Sequence, residues 1–150
     1  MEQALPLGIE AAQSEAVLPL IQLISDLVDK RCDKFLGARY GLTTPQYQLL
    51  LAAVQNADVT LGGLSEQLNC SRGNVTGIVD RLERDEWLKR ERSREDRRVI
   101  SVRLTDKGHR VWEIQKDLAR ELAAVSELWD GQQRESLSKL LLRMYKDLKD

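Results

Sequence analysis

The residues best suited to chemistry lie together at 93–98, Ser-Arg-Glu-Asp-Arg-Arg, where Arg94, Arg97 and Arg98 crowd the carboxylates of Glu95 and Asp96. Like charges this close repel one another, so the cluster suits a partner that is itself a polyanion. A solvated basic face is the plainer reading of the same residues. The rest of the chain offers little for catalysis or metal binding. Its single histidine, His109, sits in the charged run Asp106-Lys107-Gly108-His109-Arg110, and Cys32 and Cys70 lack the spacing of a zinc site. A nucleophilic triad could form only around His109, for which a surface helix is the simpler setting. These residues argue against an enzyme and imply no metal and no cofactor.

Charge is uneven along the 150 residues, although the net value is only −1. Residues 1–60 carry four Lys/Arg against seven Asp/Glu, whereas residues 81–103 carry nine against six, so the positive field is local. With 42% hydrophobic and 31% charged residues the chain reads as globular, long enough for one domain with helical extensions. No apolar run approaches the ~18 residues of a membrane span. The first residues lack the basic region and apolar core of a secretory leader, so cytoplasmic residence is expected.

The elements that must position the arginines follow from hydrophobic spacing. Apolar residues at 17, 20, 21, 24, 27, 28, 32 and 35 predict a first helix, closed by Gly37 and Gly41. Thr44 and Pro45 read as N-cap and first position of a second helix, with Tyr47, Leu50, Leu51 and Val54 inward. A short third helix over 61–69 turns Leu61, Leu64 and Leu68 inward. Gly62 and Gly63 cost it about 1 kcal/mol each against Ala, so tertiary contacts must hold its first turn. Asn69 suits the left-handed end of that helix, and Ser71 caps a fourth over about 72–86 that buries Val75, Ile78, Val79 and Leu82. Two short helices joined by Asn69-Cys70-Ser71 form a helix-turn-helix. Two extended runs flank the arginine-rich turn, and Ile100, Val102 and Leu104 alternate with Ser101 and Arg103 as in a half-buried strand. Thr105 then caps a long helix with Val111, Ile114, Leu118, Leu122, Val125 and Trp129 on one side. Gly131 interrupts it before a last helix with Leu137, Leu140, Leu141, Met144 and Leu148 inward.

This order, with the runs TPQYQLLLAA, LSEQLNCSRGNVTGIVDRLERDEWLKR and DRRVISVRLTDKG, resembles the MarR family of bacterial transcription regulators. The last run fits the family's wing pattern of Asp-x-Arg, a strand and Leu-Thr-x-x-Gly, at Asp96, Arg98, Leu104, Thr105 and Gly108. The resemblance extends from about residue 20 to the C-terminus. It implies a mainly α fold with a small β-hairpin wing, in one domain covering 1–150. A winged helix-turn-helix at 44–105 would bind DNA, and helices at 12–40 and 106–150 would form a dimerisation region. The implied partners are a second copy of the chain and double-stranded DNA, read as a near-palindromic operator with half-sites about 34–36 Å apart. A small aromatic or phenolic effector that relieves repression is implied as well. No membrane is implied.

At about 100° per residue, the fourth helix turns Gly73, Thr76, Gly77, Asp80 and Arg84 away from its buried face. The two glycines would let the helix backbone approach bases or phosphates closely; tolerated surface positions are the bland alternative. Arg72 and Asn74 suit guanine and adenine edges, while Ser71 and Thr76 suit phosphate. Asp80 would repel phosphate unless Arg84 pairs with it.

The family pattern sends Arg98 toward the minor groove with Asp96 orienting it, Arg97 being the second candidate for the groove, and Arg94 and Arg97 would add phosphate contacts. The same Asp96–Arg98 pair could merely pin the hairpin turn. The family has a glycine before the first wing strand where this chain has Glu86-Trp87, so a differently built turn is expected. The implied effector site would use Arg31, Phe35, Arg39, Tyr47 and Trp112, of which the three aromatics also read as core. Cys32 lies 13 residues before Pro45, too near to match the cysteine of the family's oxidant-sensing branch, and Cys70 reads as packing. Two rivals stand beside the DNA-binding repressor. One is a winged-helix protein-interaction module without DNA binding, and the other is a redox-sensing repressor using Cys32 or Cys70.

Overall fold

Apolar residues at helical spacing dominate the chain. The computed structural model folds them into seven helices and two strands among the residues it describes, 17–56, 59–92, 100–126 and 129–149. In order these are α1 (Val17–Tyr40), α2 (Thr44–Gln55), α3 (Leu61–Gln67), α4 (Arg72–Arg84), β1 (Leu88–Arg92), β2 (Ile100–Leu104), α5 (Asp106–His109), α6 (Val111–Ser126) and α7 (Gly131–Lys149). The mainly helical fold with one antiparallel hairpin is the one the sequence predicts. The chain divides into two compact units, Met1–Val111 and Trp112–Asp150. Residues 12–16 of the expected first dimerisation helix lie outside the described residues.

In the first unit, α4 buries Val75, Ile78, Val79 and Leu82, the four residues its spacing selects. Leu49, Leu50 and Leu64 join them in the core. The buried face of α2 is broader than the expected stripe: Leu49, Ala52 and Ala53 are buried, while Leu51 and Val54 are half-buried. The reason is that α1, α3, α4 and β2 all pack against this helix.

Local capping explains where the helices begin and end. Helix α1 continues through Gly37 to Tyr40, and Gly41, at φ 67°, ends it in the left-handed region. The cap of α2 is Thr43 rather than Thr44. Its hydroxyl accepts from the Gln46 N–H (3.4 Å), and Gln46 Oε1 accepts from the Thr43 N–H (2.8 Å), a reciprocal capping box. The reach of Gln46 selects between two adjacent threonines, and Asp33 of α1 accepts from the Thr44 N–H at 2.9 Å. Helix α3 gets the tertiary support its glycines demand. Thr60 accepts from the Gly63 N–H (3.0 Å) and also bridges Ser101, while the Val102 N–H donates to the Val59 carbonyl at 3.0 Å. Asn69 takes φ 48°, and Ser71 accepts from the Asn74 N–H at 3.3 Å. These close α3 and open α4 as expected.

The turn into β1 is built without glycine. Glu86 itself adopts the left-handed backbone, at φ 59°, a conformation that glycine adopts more readily. The Trp87 N–H donating to the Leu82 carbonyl (2.8 Å) and the burial of Trp87 hold it there. For a residue with a Cβ that conformation costs roughly 1–2 kcal/mol, partly offset by the extra unfolded-state entropy of glycine. Glu86→Gly is therefore expected to raise unfolding stability by about 0.5–1 kcal/mol. Chemical denaturation checks this, and a destabilised variant would contradict it.

The hairpin pairs Leu88 with Leu104, Arg90 with Val102 and Arg92 with Ile100. Trp87, Leu88 and Val102 are buried. Thr105 caps only the single turn of α5, accepting from the Gly108 N–H at 3.1 Å, and Arg110 ends it before α6. The expected continuous helix is broken because this turn is tied to the start of β1. Lys107 Nζ donates to the Asp85 carbonyl (2.7 Å) and lies 4.7 Å from the Trp87 ring centroid.

In the second unit, Ile114 and Leu118 are buried, Leu122 is half-buried, and Trp129 is exposed beyond the end of α6. The side chain of Val125 lies outside the described residues. Leu137, Leu140, Leu141 and Leu148 of α7, expected inward, are exposed in the single chain, and Met144 is half-buried. Val17, Ile24, Leu27 and Val28 of α1 are exposed too. Among the described residues no helix is long and apolar enough to cross a membrane.

Candidate nucleic-acid interface

Four core residues on one side of α4 leave the opposite side to face outward. There Ser71, Arg72, Gly73, Asn74, Thr76, Asp80 and Arg84 are exposed, with Gly77 half-buried. A Cβ built on Gly73 or Gly77 meets nothing within 4 Å. The middle of this face is thus bare backbone, open to the approach of another molecule. At its N-terminal end the Arg72 guanidinium reaches back toward Gly62 of α3, while the Thr76 hydroxyl donates to the Arg72 carbonyl at 2.9 Å. Asn74 carries its amide beside the cap with its side chain exposed. The donors here, one guanidinium, one amide and two hydroxyls, match the edges of bases and the oxygens of phosphates.

The acidic residue on this face is paired differently from the expectation. Arg84 Nε bonds its neighbour Asp85 at 3.2 Å, which leaves Asp80 to another cation. Arg90 of β1 takes it, with Nη2 2.5 Å from Asp80 Oδ1 and Nη1 2.7 Å from Glu83 Oε2. The Arg90 N–H donates to Glu83 Oε1 at 2.9 Å, and Nη2 lies 3.5 Å from the Thr76 carbonyl. Partial burial opposes the charge of Arg90, but the carboxylates of Asp80 and Glu83 outweigh it and raise its already high pKa. Sequence reasoning missed Arg90. Alternation along β1 could place it on the inner face of the hairpin with Leu88, but not over α4.

The wing strands carry further ion pairs. Glu91 joins Lys89 (3.0 Å) to Arg103 (3.1 Å) across the hairpin. Arg94, Asp96, Arg97 and Arg98, the expected wing-tip contacts, fall within 93–99 and lie outside the described residues.

Of the expected effector residues, Phe35 and Arg39 are in contact within the first unit. Phe35 and Arg39 are adjacent on α1, with the guanidinium carbon 5.7 Å from the ring centroid, and Tyr40 packs 6.1 Å from Phe35. Arg31 is exposed on the same helix, whereas Tyr47 is buried in the core, which pushes its hydroxyl pKa up. Trp112 is exposed and belongs to the second unit. Among the described residues, no group of three or more His, Cys, Asp or Glu side chains could hold a metal ion.

Cys70 is half-buried in the turn before α4, its carbonyl accepting from the Ser65 hydroxyl at 2.5 Å. Cys32 is buried, and burial, with Asp29 and Asp33 adding to it, pushes its thiol pKa up. A thiol so placed stays protonated and reacts slowly. Labelling of native protein read by mass spectrometry should modify Cys32 at least about tenfold more slowly than in the unfolded chain. Equal rates would favour the redox reading at Cys32.

Known proteins share parts of this sequence and this fold. Residues 42–100 match the sequence profile of the MarR family. The chain is 29% identical over 133 residues to the HTH-type transcriptional regulator PapX of Escherichia coli, covering 83% of this chain and 79% of PapX. It is 31% identical over 74 residues to the uncharacterized HTH-type transcriptional regulator YfiV of Bacillus subtilis, a match spanning 49% of this chain and 46% of YfiV. The structure of Streptococcus pneumoniae FabT, solved in complex with DNA, superposes with a TM-score of 0.77 at 22% identity, over 91% of this chain and 98% of FabT.

Proposed function

We propose that this chain, which matches the MarR family model over residues 42–100 and is 29% identical to PapX over 133 residues, is a winged helix-turn-helix member of that family and a sequence-specific, DNA-binding transcriptional regulator rather than an enzyme. The observation that carries the reading is the outward side of α4, where exposed Arg72, Asn74 and Thr76 flank two glycines with open space above them. A major groove about 12 Å wide admits such a helix. Arg72 and Asn74 would read base edges, and Ser71, Thr76 and Arg84 would meet phosphates. Arg94, Arg97 and Arg98 would extend the contact along the duplex, with Asp96 orienting Arg98. FabT, similar in fold, was solved bound to DNA, and PapX is named as a transcriptional regulator.

We further propose a homodimer that represses from a near-palindromic operator in the bacterial cytoplasm and is relieved by a small aromatic or phenolic effector. The exposed large apolar residues along α1 and along α7 support the dimer, since such residues favour burial against a partner. The pairing of Arg39 with Phe35 supports an anion-binding position on α1. Selection from a pool of short duplexes with randomised centres tests the reading. It should enrich two inverted half-sites about 34–36 Å apart. Enrichment of a single half-site would remove the dimeric operator, and no enrichment would remove sequence-specific binding.

A further inference from the structure

Asp80 is the one acidic residue on the outward side of α4, where it should oppose a polyanion. The Arg90 fork resolves this. One arm takes the Asp80 carboxylate and the other takes Glu83, while the Arg90 N–H ties the same Glu83 to the backbone of β1. The guanidinium also approaches the Thr76 carbonyl, so it spans more than one turn of α4 from a single strand position. Its side chain is only 25% exposed, against 58% for Asp80. The cation is thus the anchored partner and the aspartate the drawn one.

We infer that Arg90 is a positioning residue for DNA readout, which neutralises the Asp80 carboxylate on the outward side of α4 and locks that helix to the wing. The inference rests on the DNA-binding reading above. A planar fork with fixed donor directions can satisfy two carboxylates at once, which a lysine ammonium on a flexible stem cannot do with the same geometry. With the fork in place, the side of α4 that meets the duplex presents Arg72, Asn74, Thr76 and bare glycine backbone beside an Asp80 whose charge is paired. Without it, the Asp80 carboxylate faces the phosphates unpaired and the angle between recognition helix and wing is no longer fixed.

The test uses the full chain and the duplexes enriched from the randomised pool. Arg90→Met is expected to lower affinity for the enriched duplex by about tenfold to a hundredfold, the range for losing hydrogen bonds between charged groups. Asp80→Asn alone should change affinity by no more than about threefold, yet in the Arg90→Met background it should recover about tenfold. A merely structural arginine gives no such recovery, because removing Asp80 does not rebuild packing. Arg90→Met binding as tightly as wild type, or a double variant no better than Arg90→Met, would overturn the inference. Should Arg90→Met not fold, Arg90→Lys carries the same cycle: a smaller loss recovered by Asp80→Asn supports the role, and wild-type affinity overturns it. If wild type itself binds no duplex, the DNA-binding reading fails first, and the two failures are separate.

Discussion

Gly108→Ala is expected to cost the first unit about 2–4 kcal/mol of unfolding stability, the sum of overpacking and the loss of one or two hydrogen bonds. The Trp87 carbonyl lies where a Cβ on Gly108 would go, and Leu104 Cβ would stand 3.0 Å away. That carbonyl cannot simply retreat, because it accepts from the Thr105 N–H at 3.2 Å and lies 3.1 Å from the Thr105 hydroxyl. The same hydroxyl is 2.7 Å from the Glu86 carbonyl and caps α5. An alanine must therefore push α5 off the start of β1 and break the tie that closes the hairpin. The glycine of the Leu-Thr-x-x-Gly run is thus a packing requirement, with Thr105 supplying the hydrogen bonds around it. Denaturant titration would show a lower midpoint at similar slope, and a change under about 0.5 kcal/mol would contradict the close approach.

Gly77→Leu is expected to act in the opposite direction on folding and strongly on binding. Nothing lies within 4 Å of a Cβ at this position. Leucine is a better helix former than glycine by up to about 1 kcal/mol, so the free protein should melt at a slightly higher temperature. Its affinity for enriched duplex should nonetheless fall at least about a hundredfold, because the new side chain fills the space the duplex must enter. A stabilised protein that no longer binds DNA separates a contact surface from a tolerated surface. Unchanged affinity would mean that this side of α4 does not approach the duplex.

The two variants mark what the sequence can and cannot tell. The Val75, Ile78, Val79 and Leu82 stripe predicts the buried face of α4, and thereby the outward face with its glycines, because helical spacing is a local signal. Ser71 and Asn69 are legible for the same reason, since capping and left-handed turns depend on one or two residues. The choice of Thr43 over Thr44 depends on a side chain three residues away. Tertiary pairings have no such signature. The bridge from Thr60 to Ser101, the left-handed Glu86 and the clamp of Arg90 on Asp80 each need two segments that only the fold brings together. The broken helix after Thr105 belongs with them, since Lys107 and Gly108 answer to Asp85 and Trp87 rather than to their neighbours.

The central claim is that the outward side of α4 and the adjoining wing bind duplex DNA by sequence. The most direct test titrates the purified chain against the DNA beside its own gene, and against a scrambled duplex, over a range of salt. The account predicts that the logarithm of affinity falls linearly with the logarithm of salt, by about 0.9 for each phosphate contacted. It also predicts that the native sequence binds at least about a thousandfold more tightly than the scrambled one. Equal affinity for both duplexes, or binding indifferent to salt, would contradict it.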